Sequence, residues 1–318
     1  MGREEMKRQF KLSNLSTLFV LIGMCVIMAF ASNVFLTIGN IVNVLQQISI
    51  NAIIAIGMTF VVITAGVDLS VGSVLALSST AMGVVYMSTG STLLSLLTCL
   101  AVGAFCGTVN GVLITKGGLP PFIGTLGMMN MARGAALTLT SGKTINGFDS
   151  GFRWIGIQTF TKAGIPVQVL FMLVLLVIAF YLLRYRKMGR YIYAIGGNEE
   201  VTRLTGINVH KYKIIAYTIC GLMAATAGFV LTAKLNAAQP ISGVGYELDA
   251  IAACVIGGVS QTGGVGSVWG TLVGAVIVGV INNGMTLLNV SSYFQEFVIG
   301  LVIVVSVLLD AQKNRKLG

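Results

Sequence analysis

Charge is what this chain has least of: Asp, Glu, Lys and Arg make up 9% of its 318 residues, against roughly a quarter in soluble domains. That scarcity excludes a water-soluble fold, which could not cover itself. Charge-free runs cover 12–67, 69–115 and 250–295, each long enough for two crossings at ~20 residues per helix. Histidine is nearly missing too. The single one, His210, lies in a basic polar segment, which argues against a histidine-built metal centre or catalytic triad and for a solvated loop residue. The five cysteines all fall in apolar stretches, with no CxxC pair among them, so they read as small core-filling residues and not as metal ligands. No cluster of His, Cys or carboxylates stands at catalytic spacing, so a membrane enzyme is the weakest class.

What the chain has in abundance is apolar length. Its windows predict an all-α integral membrane protein of one domain over 1–318, with about ten transmembrane helices near 12–32, 44–65, 70–88, 92–115, 121–140, 166–183, 214–233, 247–260, 267–289 and 293–309. The stretch 33–47 is too polar for a clean span and suits a short interfacial or re-entrant helix, so nine to eleven crossings stay open. The first apolar stretch follows basic residues, as in a signal peptide. It is nearer a full crossing than the roughly 7–15 residues of a signal core, and is expected to stay as an uncleaved helix.

Basic flanks resist translocation and remain cytoplasmic. With the N-terminus inside, fifteen of the 20 Lys and Arg fall in cytoplasmic segments, seven of them in 184–213. Only Lys143, Arg153, Lys162 and Lys234 fall outside, and Arg133 lies within a helix. Both termini are therefore expected in the cytoplasm. The net charge of +10 then serves topology and lipid contact, with no nucleic-acid partner. The 40 glycines suit close helix packing in lipid. Gly266, Gly270 and Gly274 repeat every fourth residue, either as a tight crossing or simply because glycine is common here.

No energy source is visible in the chain. Gly142-Lys143-Thr144 resembles the end of a phosphate-binding loop, but Leu137 stands where that motif needs glycine. Gly264-Val265-Gly266 lacks both the spacing and the preceding strand of a dinucleotide fingerprint. Energy must come from a partner or from an ion gradient.

The long loop 184–213 differs most from its surroundings. Asn198 can cap a short helix with Glu199 and Glu200 in its first turn, and Gly206 can end it, giving an exposed element suited to another protein's groove. Here Glu200-Val201-Thr202-x-x-x-Gly206 resembles the Glu-Ala-Ala-x-x-x-Gly coupling loop of permeases of the ATP-binding-cassette class, with Val201-Thr202 in place of two alanines. Gly196-Gly197-Asn198-Glu199 through Arg203-Leu204-x-Gly206-Ile207 is similar to the monosaccharide branch, ribose permeases above all. Further matches run along nearly the whole chain, among them Gly66-Val67-Asp68-Leu69-Ser70-Val71-Gly72-Ser73, Ala238-Gln239-Pro240 and Asn282-Asn283-Gly284.

The resemblance implies a permease subunit of the bacterial inner membrane, without chemistry on the sugar and without a cofactor of its own. A partner ATPase would use ATP and Mg, a periplasmic or surface sugar-binding protein would deliver the sugar, and a second permease copy would complete a homodimer. Gly197, Asn198, Glu199, Glu200, Arg203, Leu204 and Gly206 are its expected ATPase-coupling residues. A gradient-driven secondary transporter of a small polar solute is the alternative class, and would usually carry more mid-membrane charge than Arg133 and Asp68.

Candidates for the path or a gate are Asn51, Asp68, Asn130, Arg133 and Asn282. Each has a structural reading beside it. Asp68 could cap the helix after it. Arg133 could be locked to carbonyls or to a carboxylate such as Glu296. The amides could bond between helices. Glu247 and Asp249, placed near the outer end of the eighth predicted helix, are candidates for docking the binding protein or for stabilising a helix N-terminus.

Overall fold

The computed structural model describes residues 3–160 and 164–315; Lys162 lies outside them. Thirteen helices and one two-residue strand pair follow in order among the described residues: α1 Arg3–Ala31, α2 Ile38–Ile63, α3 Val71–Thr89, α4 Thr92–Thr115, α5 Pro121–Thr140, β1 Ile145–Asn146, α6 Ser150–Ile157, α7 Val167–Tyr185, α8 Lys187–Gly197, α9 Glu199–Leu204, α10 Val209–Leu235, β2 Ala237–Ala238, α11 Tyr246–Ile256, α12 Val268–Leu287 and α13 Ser292–Arg315. Six of them, α2, α3, α4, α7, α10 and α12, are long and apolar enough to cross a membrane, and shorter apolar helices lie at 17–31 and 292–305.

Local signals place the ends. Pro121 opens α5 at its first position, where a missing N–H costs nothing. Thr37, Ser91, Asn208 and Ser267 cap α2, α4, α10 and α12 through side-chain oxygens, each worth ~1 kcal/mol. The cap at Thr37 draws the polar stretch before residue 44 into α2 as one continuous helix. Its polar groups find partners there: Asn40 and Asn283 exchange amide hydrogen bonds at 3.0 and 2.8 Å, and Asn40 also donates to the Phe35 carbonyl at 2.9 Å.

The core forms around α2 and α10. Ala52–Val61 of α2 is sealed almost completely, and α10 packs on α2, α3 and α4. The α4–α10 crossing is close, because Gly103, Gly107 and Gly221 each lie against the opposing backbone where a Cβ would collide. Gly270 and Gly274 likewise press α12 onto the backbone of α11 at Gly257 and Ala253. The four-residue glycine spacing does make a tight crossing, with Gly266 in the loop before it.

The connections sort into two ends of the bundle. At one end, the Gly264 amide donates to the Ile63 carbonyl at 2.9 Å and the Tyr193 hydroxyl to the Gly266 carbonyl at 2.8 Å, gathering 64–70, 186–208 and 257–267. At the other, β1 pairs with β2, the Phe148 amide donates to Asn236 Oδ1 at 3.0 Å, and the Asp149 amide to the Tyr86 hydroxyl at 3.3 Å. The loops 66–73 and 258–267 therefore lie at the same end and close together.

The eighth apolar window departs most from the sequence reading. A crossing was expected over 247–260; α11 has only eleven residues, about 16 Å at 1.5 Å per residue, half of the ~30 Å hydrocarbon core. It lies along one half of α2. Asn51 donates to Asp249 at 3.2 Å, and Thr59 lies 3.6 Å from the Cys254 sulfur. Asn51 sits midway along the 26-residue α2, so α11 begins at mid-bundle. The preceding 236–245 is non-helical and leads back along α3, from Ala238 beside Gly83 to Gly243 against Gly72.

Candidate functional site: an exposed helix and a broken crossing

The first arrangement is the pair α8–α9. Asn198 Oδ1 accepts the Val201 amide at 2.9 Å, capping α9 with Glu199 and Glu200 in its first turn. Gly206 follows its end at φ +82° with no atom near the place of a Cβ, so glycine is needed there for backbone conformation alone. Glu199 pairs with Lys213 at 2.9 Å, the one ion pair among the described residues. Glu200 and Arg203 are exposed.

Thr202 is buried, and its hydroxyl donates to the Ala194 and Asn198 carbonyls at 2.9 and 2.7 Å. This is the physical sense of threonine where the coupling loop it resembles has alanine: the hydroxyl pins α9 to the end of α8. On the opposite face Val201 and Leu204 stand 55% and 80% exposed. Three residues apart, they share one side of the helix. A shallow cleft of about 400 Å³ adjoins them, lined by Tyr191, Thr205, Gly206, Ile207, Asn208, Lys211 and Tyr212.

Three contributors at this end were missed in the sequence. Gly197, which was singled out, has open space at its Cβ position, whereas Gly196 has the Ile63 carbonyl and the Gly264 amide there. Tyr193, half-buried, has its phenol pushed up to about 12 by burial, so it remains a neutral donor to Gly266. Its position beside Gly196 in a Tyr-x-x-Gly spacing was the available signal. Thr202 was the third, visible only as a departure from the motif.

The second arrangement surrounds the break before α11. Arg133, at mid-length in α5, donates through Nη1 to the Pro240 and Ser242 carbonyls at 2.7 and 2.8 Å. Non-helical backbone at membrane depth leaves carbonyls without intrahelical partners, and it persists only where the protein supplies donors. Arg133 supplies two. Among the described residues it forms an ion pair with neither Glu247 nor Glu296. Glu247 Oε1 accepts the Gly245 amide at 3.3 Å.

Glu247 and Asp249 occupy the first turn of α11, Glu247 half-buried and Asp249 buried. Asp249 is 9% exposed and bonded to Asn51, which joins a path candidate and a docking candidate in one interior pair. Asp68 is also internal, accepting from the Ser70 amide and hydroxyl at 2.9 and 2.6 Å and from Asn110 at 3.4 Å. It closes the turn before α3 and ties it to α4. Asn130 lies exposed on α5, bonded to its own helix at Leu126. Asn282 keeps a buried Oδ1 without a partner, while its neighbour Asn283 makes the interhelical bonds.

The bundle thus carries a short exposed helix fixed on its own core at one end and a non-helical stretch before a half-length helix at its centre. The chain belongs to the family described as branched-chain amino acid transport system / permease component, whose pattern it matches over residues 40–307. It is 45% identical to the ribose import permease protein of Escherichia coli (strain K12), with 98% of each chain covered. It is 44% identical to that of Bacillus subtilis (strain 168), covering 96% of this chain and 94% of the relative. The D-allose transport system permease protein of Escherichia coli (strain K12) is 38% identical over 87% and 84%. No solved structure matches the chain.

Proposed function

We propose that this chain is the membrane-spanning subunit of an ATP-binding-cassette importer that carries a monosaccharide, ribose in the first place, across the bacterial inner membrane by alternating access. The observation that carries it is α9: a capped helix, pinned from beneath by Thr202, that presents Val201 and Leu204 to solvent. An apolar pair on a rigid support at the membrane edge fits a helix-in-groove contact. The partner is the ATPase subunit, which uses ATP and Mg, while this chain binds no cofactor and passes the sugar unmodified. The substrate rests on the relatives, whose names specify ribose and allose although the family is named for amino acids.

The permease works as a homodimer of ten crossings per copy, 236–245 and α11 together forming the eighth. The end holding α8 and α9 faces the cytoplasm with both termini. The two-ended sorting of the loops supports this, as does the crowding of seven basic residues into 184–213. The sugar-binding protein meets the opposite end, where 141–160 and β2 lie. Glu247 and Asp249 act in the interior, and Arg133, Asn130 and Glu247 border the sugar path.

The test is Val201→Asp with Leu204→Asp in the chain co-expressed with its ATPase subunit. Loss of ATPase co-purification and of ATP-dependent ribose uptake is expected, with membrane insertion intact. Ribose uptake that persists without the ATPase and collapses on adding an uncoupler would instead establish the gradient-driven class.

A further inference from the structure

In the chain, the coupling segment lies between α7 and α10, so its movement would be expected to pass to those two helices. The contacts add a third route, of backbone on backbone. Side chains tie the segment to α10 at two places, the rings of Tyr191 and Tyr212 meeting edge-on at 4.8 Å and Glu199 pairing with Lys213, with Glu199 about half exposed, and an exposed pair holds little. The C-terminal end of α8 is also fused to the loop between α11 and α12. A Cβ on Gly196 would overlap the Ile63 carbonyl and the Gly264 amide. Gly263 and Gly264, at φ +87° and +74°, wrap this point so closely that side chains there would meet Ala65, Gly196 and Gly197 backbone at 2.8–3.0 Å. One turn back, the Tyr193 hydroxyl holds Gly266 at 2.8 Å.

Backbone packed on backbone transmits displacement with almost no slack, because there are no side-chain rotamers between the parts to absorb it. From this junction α11 leads directly to mid-bundle. It is locked to α12 at Gly270 and Gly274 and to α2 through Asn51–Asp249 and the Thr59, Cys254 and Thr271 group. Its far end meets 236–245, where Gly243 and Gly245 stand at φ +74° and +85° and Arg133 holds two carbonyls.

We infer that the coupling segment drives α11, the half-length helix, through the Gly196–Ile63–Gly264 junction, with Gly196 and Tyr193 as positioning residues that turn ATPase movement into movement of the broken crossing. The inference rests on the coupling reading above. Displacement of α8 pushes the 257–267 loop, α11 follows with α2 and α12, and the segment bearing Ile241 and Val244 shifts at the centre of the bundle. Those two side chains, 64% and 72% exposed, are where the shift is read.

The experiment uses the full chain with its ATPase subunit in lipid nanodiscs, with Cys25→Ser to remove the one half-exposed thiol and Val244→Cys as reporter. Addition of ATP is expected to change the thiol-labelling rate at position 244 by about fivefold or more, the scale of a coupling free energy. Val177→Cys on α7, 55% exposed, should change little. Gly196→Ala should retain the ATPase yet make labelling at 244 indifferent to ATP. Tyr193→Phe, which deletes one hydrogen bond and keeps the ring, should lower sugar moved per ATP about two- to tenfold.

An unchanged ATP response at position 244 in Gly196→Ala would overturn the inference. So would a parent in which position 177 responds and 244 does not. If Gly196→Ala fails to assemble, Tyr193→Phe decides, full coupling there counting against. Failure of the parent itself to retain the ATPase would remove the coupling reading on which the inference rests, an outcome distinct from the others.

Discussion

Single residues here are chosen by what their backbone neighbours require. Arg133 satisfies two carbonyls that no helix can, so Arg133→Ala strands both, at ~1–3 kcal/mol for each acceptor left buried and unpaired. Uptake should fall at least tenfold while ATPase co-purification, governed by the distant α9, is unchanged. Lysine retains the charge and loses the planar fork, so Arg133→Lys should recover only part of the uptake. Wild-type uptake in both variants at normal expression would remove Arg133 from the path and from the brace. Gly206 makes the opposite demand: at φ +82° with open space around it, it needs a left-handed backbone and nothing else. Gly206→Val should therefore weaken stimulation of the ATPase by sugar-loaded binding protein, at a conformational cost of roughly 1–2 kcal/mol. Gly206→Asn should be tolerated, since asparagine visits that region readily. Equal behaviour of the two variants would show that the left-handed turn is not what the loop requires.

At the scale of elements, legibility followed chemistry that punctuates the chain. The fifth window agrees with α5 at both ends because Pro121 and Ser141-Gly142 bound it, and α9 was readable because Asn198, two glutamates and Gly206 are local signals. The broken crossing was not. Apolar windows count residue types, and 236–245 with α11 has the composition of a span; the carbonyls of the non-helical stretch find their donor in Arg133, which lies more than a hundred residues earlier. The small element α6 was also missed, since its eight residues carry no long periodicity. Its cap, Asp149, accepts the Phe152 amide at 2.7 Å, and that bond holds its carboxyl below the usual carboxylate range. The folded pKa is thus lower than the unfolded one. The cap's contribution is fully present above the ordinary carboxylate pKa and is lost as pH falls through the folded value. Hydrogen exchange across 145–157 should therefore accelerate, after correction for intrinsic rates, as the medium is acidified through that window. Asp149→Asn, which keeps an acceptor that does not titrate, should flatten the dependence; an equal acceleration in both proteins would discard the cap as its origin.

For the whole molecule, the contacts establish which loops share an end, and the basic residues assign the ends to compartments. These are independent arguments, and one experiment can separate them. Reporters after Lys116, at Lys187 and following the C-terminus are expected in the cytoplasm, and one within 143–160 outside, because a segment with seven basic residues resists translocation. Pairing is the sharper part. The contact of Gly196 with Ile63 and Gly264 requires that reporters in 64–70, 186–208 and 257–267 always agree with one another. The β1–β2 pair requires that 143–148 and 236–238 agree and oppose that set. A reporter at Lys187 found outside, with all pairings kept, would invert the protein and leave the fold intact, so the coupling reading would fail while the helix arrangement stood. A disagreement within one set would instead break the arrangement. It would bear first on α11, since only if 236–245 and α11 together complete a crossing can 236–238 lie at one end and 257–267 at the other with eleven helical residues between them.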